Sequence, residues 1–223
     1  MTDRAEFLNT IRARLREYRP TRAPDVPWTP GTAHAMPFSS SAEDLPNLFL
    51  EQLGLVGSRG ERVPSLDEAR ERILLLARER GAQRLIRWDG GILDELRVDA
   101  PLEAHGVAVT RWRAADDLRD NLATADIGLG RAEYGVAETG SLVLPAGFGQ
   151  GRTISLLPPL FIAIVPVDRV VHRLRDVIDA YAGDRELPSG LCIVTGPSRS
   201  GDIEQSQTIG VHGPGAVHVL LIG

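Results

Sequence analysis

Two glycine turns adjoin apolar runs in the last third of the chain: Ala137-Glu138-Thr139-Gly140-Ser141-Leu142-Val143-Leu144 and Cys192-Ile193-Val194-Thr195-Gly196-Pro197-Ser198-Arg199-Ser200-Gly201-Asp202-Ile203-Glu204. Four apolar runs here are nearly continuous: Ser141–Leu144, Phe161–Val165, Leu191–Val194 and Val217–Ile222. Strands that are covered on both faces have this pattern, which is typical of mainly parallel sheets. Open sheets of this kind bind ligands outside their strand ends. We therefore expect an α/β fold and a site formed by the glycine turns.

Helical and strand patterns alternate along the preceding part of the chain. Ser65-Leu66-Asp67-Glu68 is a capping box that begins a helix, and Gly81 ends that helix. Apolar residues at helical spacing predict another helix between Val170 and Tyr181. Further strands are predicted at Arg84–Trp88, Gly106–Thr110 and Ala125–Leu129, and a further helix over 114–123. The alternation predicts an α/β domain with flanking helices over residues 63–223.

Residues 1–62 have the pattern of an N-terminal helical extension. Apolar residues recur at helical spacing within residues 3–18, and Pro20 follows them. Residues 20–41 are rich in proline and end in three serines, which is typical of a linker or an extended arm. A second helix is predicted over 43–54, with Pro46 in its first turn.

The composition excludes several kinds of chemistry. All 25 basic residues are arginines, so no side chain can form a Schiff base or act as a Walker-type lysine. The one cysteine, Cys192, cannot by itself hold a disulfide framework, a structural zinc ion or an iron–sulfur cluster. The net charge of −5 argues against nucleic acid as a partner. Without a signal-peptide core or an apolar run of about 20 residues, we expect a cytoplasmic protein that does not span a membrane.

Glu138 is the first candidate for a catalytic role. It precedes Thr139, Gly140 and Ser141 at a predicted corner, where a carboxylate can act as a nucleophile or general base, or can bind a hydroxyl group. Gly140 would let a ligand approach the backbone closely. Thr139, Gly140 and Ser141 are therefore candidate ligand-binding residues. The alternative is that Glu138 pairs with an arginine or caps the turn.

The second glycine turn has the composition of an anion site. Its candidate ligand-binding residues follow an apolar strand: Gly196, Ser198, Arg199, Ser200, Asp202 and Glu204. A strand, a glycine loop and a short helix in succession can hold a carboxylate or a phosphate. Asp202 and Glu204 would repel an anion unless arginine pairs with them. The alternative is a tight turn with a structural role only.

His212 is the second catalytic candidate. It lies in Val211-His212-Gly213-Pro214 before the last apolar run, where an imidazole can act as an acid or base or bind a carboxylate beside Gly213. The alternative is a histidine that stabilises a turn. Arg152 ends a glycine-rich loop and can present a cation to the same ligand. The other histidines lack metal-ligand spacing, so we predict no metal site. We expect the segments near positions 138, 199 and 212 to meet in one pocket at an edge of the sheet.

Together these motifs resemble the LutC/YkgG family of lactate-utilisation proteins, which consist of an LUD domain. The matching stretches are Ala132-Glu133-Tyr134-Gly135-Val136-Ala137-Glu138-Thr139-Gly140, Gly151-Arg152-Thr153-Ile154-Ser155-Leu156-Leu157-Pro158, Thr195-Gly196-Pro197-Ser198-Arg199, Asp202-Ile203-Glu204 and Gly210-Val211-His212-Gly213-Pro214. The resemblance implies a fold similar to NagB, RpiA and the CoA transferases. It also implies a cluster-free component of a system that oxidises L-lactate to pyruvate. Iron–sulfur clusters would then belong to partner proteins, with no cofactor on this chain.

Two other functions stay open. The fold analogy allows an acyl-transfer or sugar-phosphate enzyme that uses Glu138 as nucleophile or base, although isomerisation that depends on lysine is disfavoured. The other alternative is a non-catalytic assembly factor, whose N-terminal helix and proline-rich arm would bind partners or a second copy of the chain. The expected partners are therefore iron–sulfur proteins, a small carboxylate and, in a homo-oligomer, the chain itself.

Overall fold

A computed structural model describes residues 4–17, 44–112, 118–147, 149–182, 187–201 and 207–223. The chain divides into two compact units, Met1–Ser39 and Ser40–Gly223. In the first unit, helix α1 (Arg4–Glu17) confirms the helix predicted over residues 3–18, and its Leu8 and Ile11 are exposed. The predicted proline-rich arm lies outside the described residues.

The second unit alternates strands and helices, as the sequence predicts. Its helices are α2 (Leu45–Leu55), α3 (Leu66–Glu79), α4 (Ile92–Glu95), α5 (Asp99–Ala104), α6 (Leu118–Ala123) and α7 (Leu174–Tyr181). Its strands are β1 (Arg59–Val63), β2 (Arg84–Arg87), β3 (Ala108–Arg111), β4 (Ile127–Arg131), β5 (Tyr134–Val136), β6 (Ser141–Ala146), β7 (Leu160–Pro166), β8 (Val170–Val171), β9 (Gly190–Val194), β10 (Arg199–Gly201), β11 (Gln207–Ile209) and β12 (Ala216–Ile222). Two 3₁₀ turns, Arg152–Ser155 and Val167–Arg169, lie between strands.

The central sheet has six parallel strands in the order β1-β12-β7-β4-β2-β3. Strands β7 and β12 lie inside this sheet, and Phe161–Val165 is buried throughout. A strand that is covered on both faces needs no polar face, which explains the nearly continuous apolar runs of β7 and β12. The predicted α/β class, with a mainly parallel sheet and flanking helices, is confirmed.

Helix α3 begins and ends at the residues that its sequence predicts. The Oγ of Ser65 accepts a hydrogen bond from the N–H of Glu68 at 3.2 Å, as an N-cap should. Gly81, just beyond the helix, has a φ of +58°, which favours glycine. The apolar face of α3 is buried and contacts β1 and β12, so this helix covers one side of the central sheet.

A second sheet contains four strands in the order β8-β5-β6-β9. Strand β6 pairs antiparallel with β5 and with β9, so the apolar runs Ser141–Leu144 and Leu191–Val194 lie outside the parallel sheet. The prediction that they belong to it is wrong. Strand β6 is buried on both faces, and an apolar pattern reports this burial without identifying the neighbouring strand. On β9, Leu191 and Ile193 are exposed.

Val170 and Val171 form the short strand β8, which pairs with β5, so the start of the helix predicted between Val170 and Tyr181 is wrong. Their branched Cβ atoms favour an extended backbone. Helix α7 begins only at Leu174. It covers one face of the second sheet with Val177 and Tyr181, which pack in a small cluster with residues of β5 and β6.

Strands β10 and β11 form an antiparallel hairpin, in which Arg199 pairs with Ile209 and Ser200 with Thr208. Arg199–Gly201, predicted as part of a loop, therefore forms a strand, and the short helix predicted after it lies outside the described residues. Local spacing does not reveal a pairing partner further along the chain. Asp202 and Glu204 lie outside the described residues.

Helix α2 packs into the core of the second unit. Phe49 and Leu53 are fully buried, and the helix contacts β1 and β8. A Cβ at Gly135 of β5 would lie 2.8 Å from the Phe49 ring, so glycine allows this close packing. The division of the chain at residues 62 and 63 stays a prediction, and the structure places α2 on the same core as the strands after it.

Candidate functional site

The two predicted glycine turns meet the C-terminal end of helix α2. A Cβ at Gly140 would lie 2.6 Å from the carbonyl carbon of Gln52, and one at Gly196 would lie 2.4 Å from the carbonyl oxygen of Val56. Both glycines have positive φ, of +63° and +82°. They are therefore required by backbone conformation and by close packing on α2. We call Thr139–Ser141, Thr195–Arg199 and Gly210–Pro214 together the glycine corner.

Hydroxyl groups connect the first two segments of the glycine corner. The Oγ of Ser141 lies 2.6 Å from Thr139 Oγ1 and 2.8 Å from Thr195 Oγ1. Ser141 is buried, so these hydrogen bonds satisfy a hydroxyl that would otherwise lack water. Thr139 and Ser141, both predicted ligand-binding residues, are thus engaged with the protein itself.

Ser198 connects the second and third segments. Its N–H donates to the carbonyl oxygen of Pro214 at 3.0 Å, and its carbonyl oxygen accepts from the N–H of Gly210 at 2.9 Å. A Cβ at Gly213 would lie 2.9 Å from the Cβ of Ser198. The guanidinium of Arg199 donates to the carbonyl oxygen of Val56 at 2.9 Å, and a cation at a helix C-terminus is stabilising.

Glu138 and His212 complete the predicted catalytic pair. The side chain of Glu138 is half-buried, and its N–H donates to the carbonyl oxygen of His172 at 3.0 Å. His212 is exposed. The structure thus brings together the segments that carry Gly140, Gly196, Arg199 and Gly213, while catalytic roles for Glu138 and His212 stay predictions.

The glycine corner lies at the amino ends of the parallel strands. Gly215 directly precedes β12, and Val56, whose carbonyl oxygen accepts from the Arg199 side chain, lies three residues before β1. Open α/β sheets bind ligands at the opposite edge, outside the carboxyl ends of their strands. The carboxyl edge is therefore the place to look for a ligand crevice.

Two cavities lie at the carboxyl edge and share Arg131, which ends β4, and Glu133, which follows it. The inner cavity has a volume of about 220 Å³ and is lined by Ile92, Arg131, Ala132, Glu133, Pro166 and Arg169. The outer cavity has a volume of about 560 Å³, and its wall includes Arg131, Glu133, Gln150, Tyr181, Leu187 and Pro188. Two guanidinium groups therefore line the smaller of the two spaces.

Aromatic side chains connect the walls of the two cavities. The hydroxyl of Tyr181 donates a hydrogen bond to Glu133. The rings of Tyr134 and Tyr181 meet edge to face with centroids 6.3 Å apart, and the Arg169 guanidinium lies 6.0 Å from the Tyr134 ring centroid. These contacts bring β5, the turn after β7 and α7 to one place. They hold one carboxylate, that of Glu133, and one cation, that of Arg169, beside two aromatic rings.

An ion-pair cluster centred on the buried Arg87 lies at the same edge of the sheet. Arg87, the last residue of β2, is 1% exposed and contacts Asp99 at 2.7 Å and Asp94 at 2.8 Å. Arg111 of β3 also contacts Asp99, at 2.6 Å. Burial alone would raise the pKa of Asp99, yet the hydrogen bonds from Arg87 and Arg111 outweigh it and lower that pKa. Asp99 is therefore ionised at neutral pH and ties the ends of β2 and β3 to α5.

The glycine-rich loop that carries Arg152 is fixed to the carboxyl edge. The indole N–H of Trp88 donates to the carbonyl oxygen of Gly151 at 2.8 Å, and Asp89 N–H donates to that of Gly149 at 3.1 Å. Arg152 itself is exposed.

Burial raises the pKa of the Cys192 thiol, although Arg152 opposes this, so the thiol is protonated at neutral pH.

Sequence reasoning missed Arg131, Glu133, Arg169 and Tyr181. A signal for the first two was present, because both lie within four residues after the strand predicted at Ala125–Leu129. Arg169 and Tyr181 come from a turn and from the end of a helix, and no local pattern marks them. Among the residues that the structure describes, no group of three or more His, Cys, Asp and Glu side chains could hold a metal ion.

The fold and the cavities together define an α/β protein whose open parallel sheet carries cavities lined by charged side chains at the carboxyl ends of its strands. The chain belongs to the LUD domain family, whose model matches residues 47–222, and the resemblance to LutC/YkgG is confirmed. No helix within the described ranges is long and apolar enough to cross a membrane.

Two relatives and one solved structure show the extent of this similarity. The chain is 32% identical over 219 residues to Lactate utilization protein C of Halalkalibacterium halodurans, covering 95% of this chain and 94% of that protein. It is 30% identical over 234 residues to the Uncharacterized protein YkgG of Escherichia coli, covering 100% and 99%. A crystal structure of a DUF162 family protein from Deinococcus radiodurans has the same fold, with a TM-score of 0.61, 23% identity and coverage of 82% and 99%.

Proposed function

We propose that this chain acts in lactate utilisation, as the cluster-free cytoplasmic component of a system that oxidises L-lactate to pyruvate. We further propose that it binds the small carboxylate in the inner cavity. The observation that carries the proposal is that Arg131 and Arg169 line one space of about 220 Å³ at the carboxyl edge. Arginine binds carboxylates through paired, charge-assisted hydrogen bonds. The names of the relatives support the link to lactate.

The charge around the inner cavity supports binding of an anion. The ion pairs between described residues use other arginines, namely Arg70, Arg72, Arg87, Arg111 and Arg175. Arg131 and Arg169 thus keep guanidinium groups for a ligand. Glu133 lies in the same wall and can accept a hydrogen bond from the hydroxyl group of a 2-hydroxy acid.

The electrons of the oxidation must leave for another protein. Conversion of L-lactate to pyruvate releases two electrons and two protons, and the one thiol of this chain cannot hold an iron–sulfur cluster. We therefore propose that iron–sulfur partner proteins accept the electrons, while this chain holds or presents the acid. Activity that needs both this chain and its partners is the expected behaviour.

Calorimetric titration with L-lactate and pyruvate tests the proposed site. A charge-assisted hydrogen bond contributes about 1.5–3 kcal/mol, so Arg131→Gln and Arg169→Gln should each weaken binding by about tenfold to a hundredfold. Arg175→Gln is the matched control, because its side chain is 84% exposed on α7, and it should bind as the parent does. No heat with either acid, alone or with the partners, would contradict the proposal.

The same titration tests the site predicted from sequence. If the anion instead binds at the glycine corner, Arg199→Gln will abolish binding while Arg131→Gln leaves it intact. The variant Glu138→Gln tests the alternative that the chain is an acyl-transfer enzyme with Glu138 as its nucleophile. Incubation with an acyl-CoA followed by mass spectrometry would then show a covalent label on the parent chain and none on the variant.

A further inference from the structure

The outer cavity is larger than a three-carbon acid needs. Its volume of about 560 Å³ compares with about 220 Å³ for the inner cavity. Cavities of about 300–1,000 Å³ hold small molecules of the size of a drug or cofactor. The inner cavity suits a short acid, and the outer cavity suits a longer ligand.

The wall of the outer cavity is part apolar and part charged. Pro145, Leu187 and Pro188 supply apolar surface, and Leu187 is 64% exposed. A large apolar side chain exposed beside a cavity gains free energy when a ligand covers it. Arg131 is the cation in the same wall, and Glu133 is an anion whose carboxylate accepts a hydrogen bond from Tyr181. Gln150 adds amide hydrogen-bonding groups.

We infer that the outer cavity binds a second ligand, an organic monoanion with an apolar chain. Its anionic group binds Arg131, and its chain covers Pro145, Leu187 and Pro188. A neutral apolar ligand would leave the guanidinium without a partner in the bound state, and a short acid would leave Leu187 exposed. The Glu133 carboxylate of this wall already accepts a hydrogen bond from Tyr181, and the ion pairs between described residues use other arginines than Arg131. The Arg131 cation beside apolar surface therefore favours an amphipathic anion.

The shared residues couple the two cavities. Because Arg131 and Glu133 line both, a ligand in one cavity changes the charge and position of groups in the wall of the other. The factor by which the ligand of the outer cavity changes the affinity for the ligand of the inner cavity equals the factor of the reverse effect. Two anions that use one guanidinium weaken each other, so the chain-bearing anion should lower the affinity for lactate.

Titration calorimetry of the full chain with butanoate, hexanoate and octanoate tests the inference. Each fully buried CH₂ group tightens binding by about fourfold, and a cavity open to solvent reduces this to about twofold. Octanoate should therefore bind at least about tenfold more tightly than butanoate. Octan-1-ol, which has the same chain without the charge, should bind more weakly than octanoate.

Two leucine variants locate the binding. Leu187→Ser should reduce the ratio of octanoate to butanoate affinity by about threefold or more, because the chain loses its apolar wall. Leu157→Ser is the control, since Leu157 is also exposed, at 55%, and does not line the outer cavity. Affinity that is independent of chain length, equal binding of octan-1-ol or an unchanged ratio in Leu187→Ser overturns the inference. If the parent chain binds octanoate as expected and does not bind lactate, only the proposed function is contradicted.

Discussion

Substitution of Gly140 by alanine tests the structural role of the glycine corner. The φ of +63° places Gly140 in the left-handed region, where a Cβ costs about 1–2 kcal/mol. That Cβ would also lie 2.6 Å from the carbonyl carbon of Gln52 and 2.7 Å from the amide nitrogen of Leu53. Backbone atoms cannot rotate away, so α2 must shift, and such overpacking costs about 1–3 kcal/mol. We expect Gly140→Ala to lower the free energy of unfolding by about 2–5 kcal/mol.

Gly81→Ala is the matched control. Gly81 has a φ of +58°, and nothing lies within 4 Å of a Cβ built there, so only the conformational cost of about 1–2 kcal/mol applies. Urea unfolding followed by tryptophan fluorescence measures both variants. A difference of about 1–3 kcal/mol between them isolates the clash with α2. Equal destabilisation would refute the reasoning, and loss of ligand binding at equal stability would favour the ligand role predicted from sequence.

Two further predictions concern buried charges. Asp99→Ala leaves Arg87 with Asp94 alone, and we expect urea unfolding to show a loss of about 2–4 kcal/mol; a loss below about 1 kcal/mol would contradict the structural role of the cluster. Burial lowers the pKa of His218, although a hydrogen bond from its ring to Glu61 opposes this. The unfolded chain, with a histidine pKa of 6.5, then binds the proton more tightly, so stability is full above that pH and falls below it, by at most about 1.4 kcal/mol per pH unit. His218→Gln should flatten the unfolding free energy between pH 6.5 and 5.0, and a curve that keeps its slope would show that another group titrates there.

The sequence predicted helices and strands correctly where the signal comes from residues close together along the chain. Ser65 and Glu68 begin α3 and Gly81 follows its end, because capping depends on residues a few positions apart. Phe161–Val165 lies inside the parallel sheet, as its pattern indicates. The run Ser141–Leu144 has the same pattern and lies in the second sheet, because apolar continuity reports cover on both faces and not the identity of the paired strand.

In the candidate site, too, the local sequence does not show which distant residues a side chain will contact. Gly140 and Gly196 stand out in the sequence, and the structure explains them by close packing on α2 at the amino edge of the sheet. Arg131 and Glu133 have a weaker signal, as residues that follow a predicted strand. Arg169 has none, because the turn after β7 reaches this place only through the order of the strands.

The sequence by itself determined the α/β class, the ends of α3, the absence of lysine chemistry and the likeness to LutC/YkgG, since each depends on residue identity or on short-range spacing. Only the tertiary structure decided which edge of the sheet carries the crevice. Strand order brings Arg131, Glu133, Arg169 and Tyr181 together from β4, the segment after it, a 3₁₀ turn and α7. Strand pairing is a contact between distant parts of the chain, and a local sequence pattern does not identify the strand with which a segment pairs.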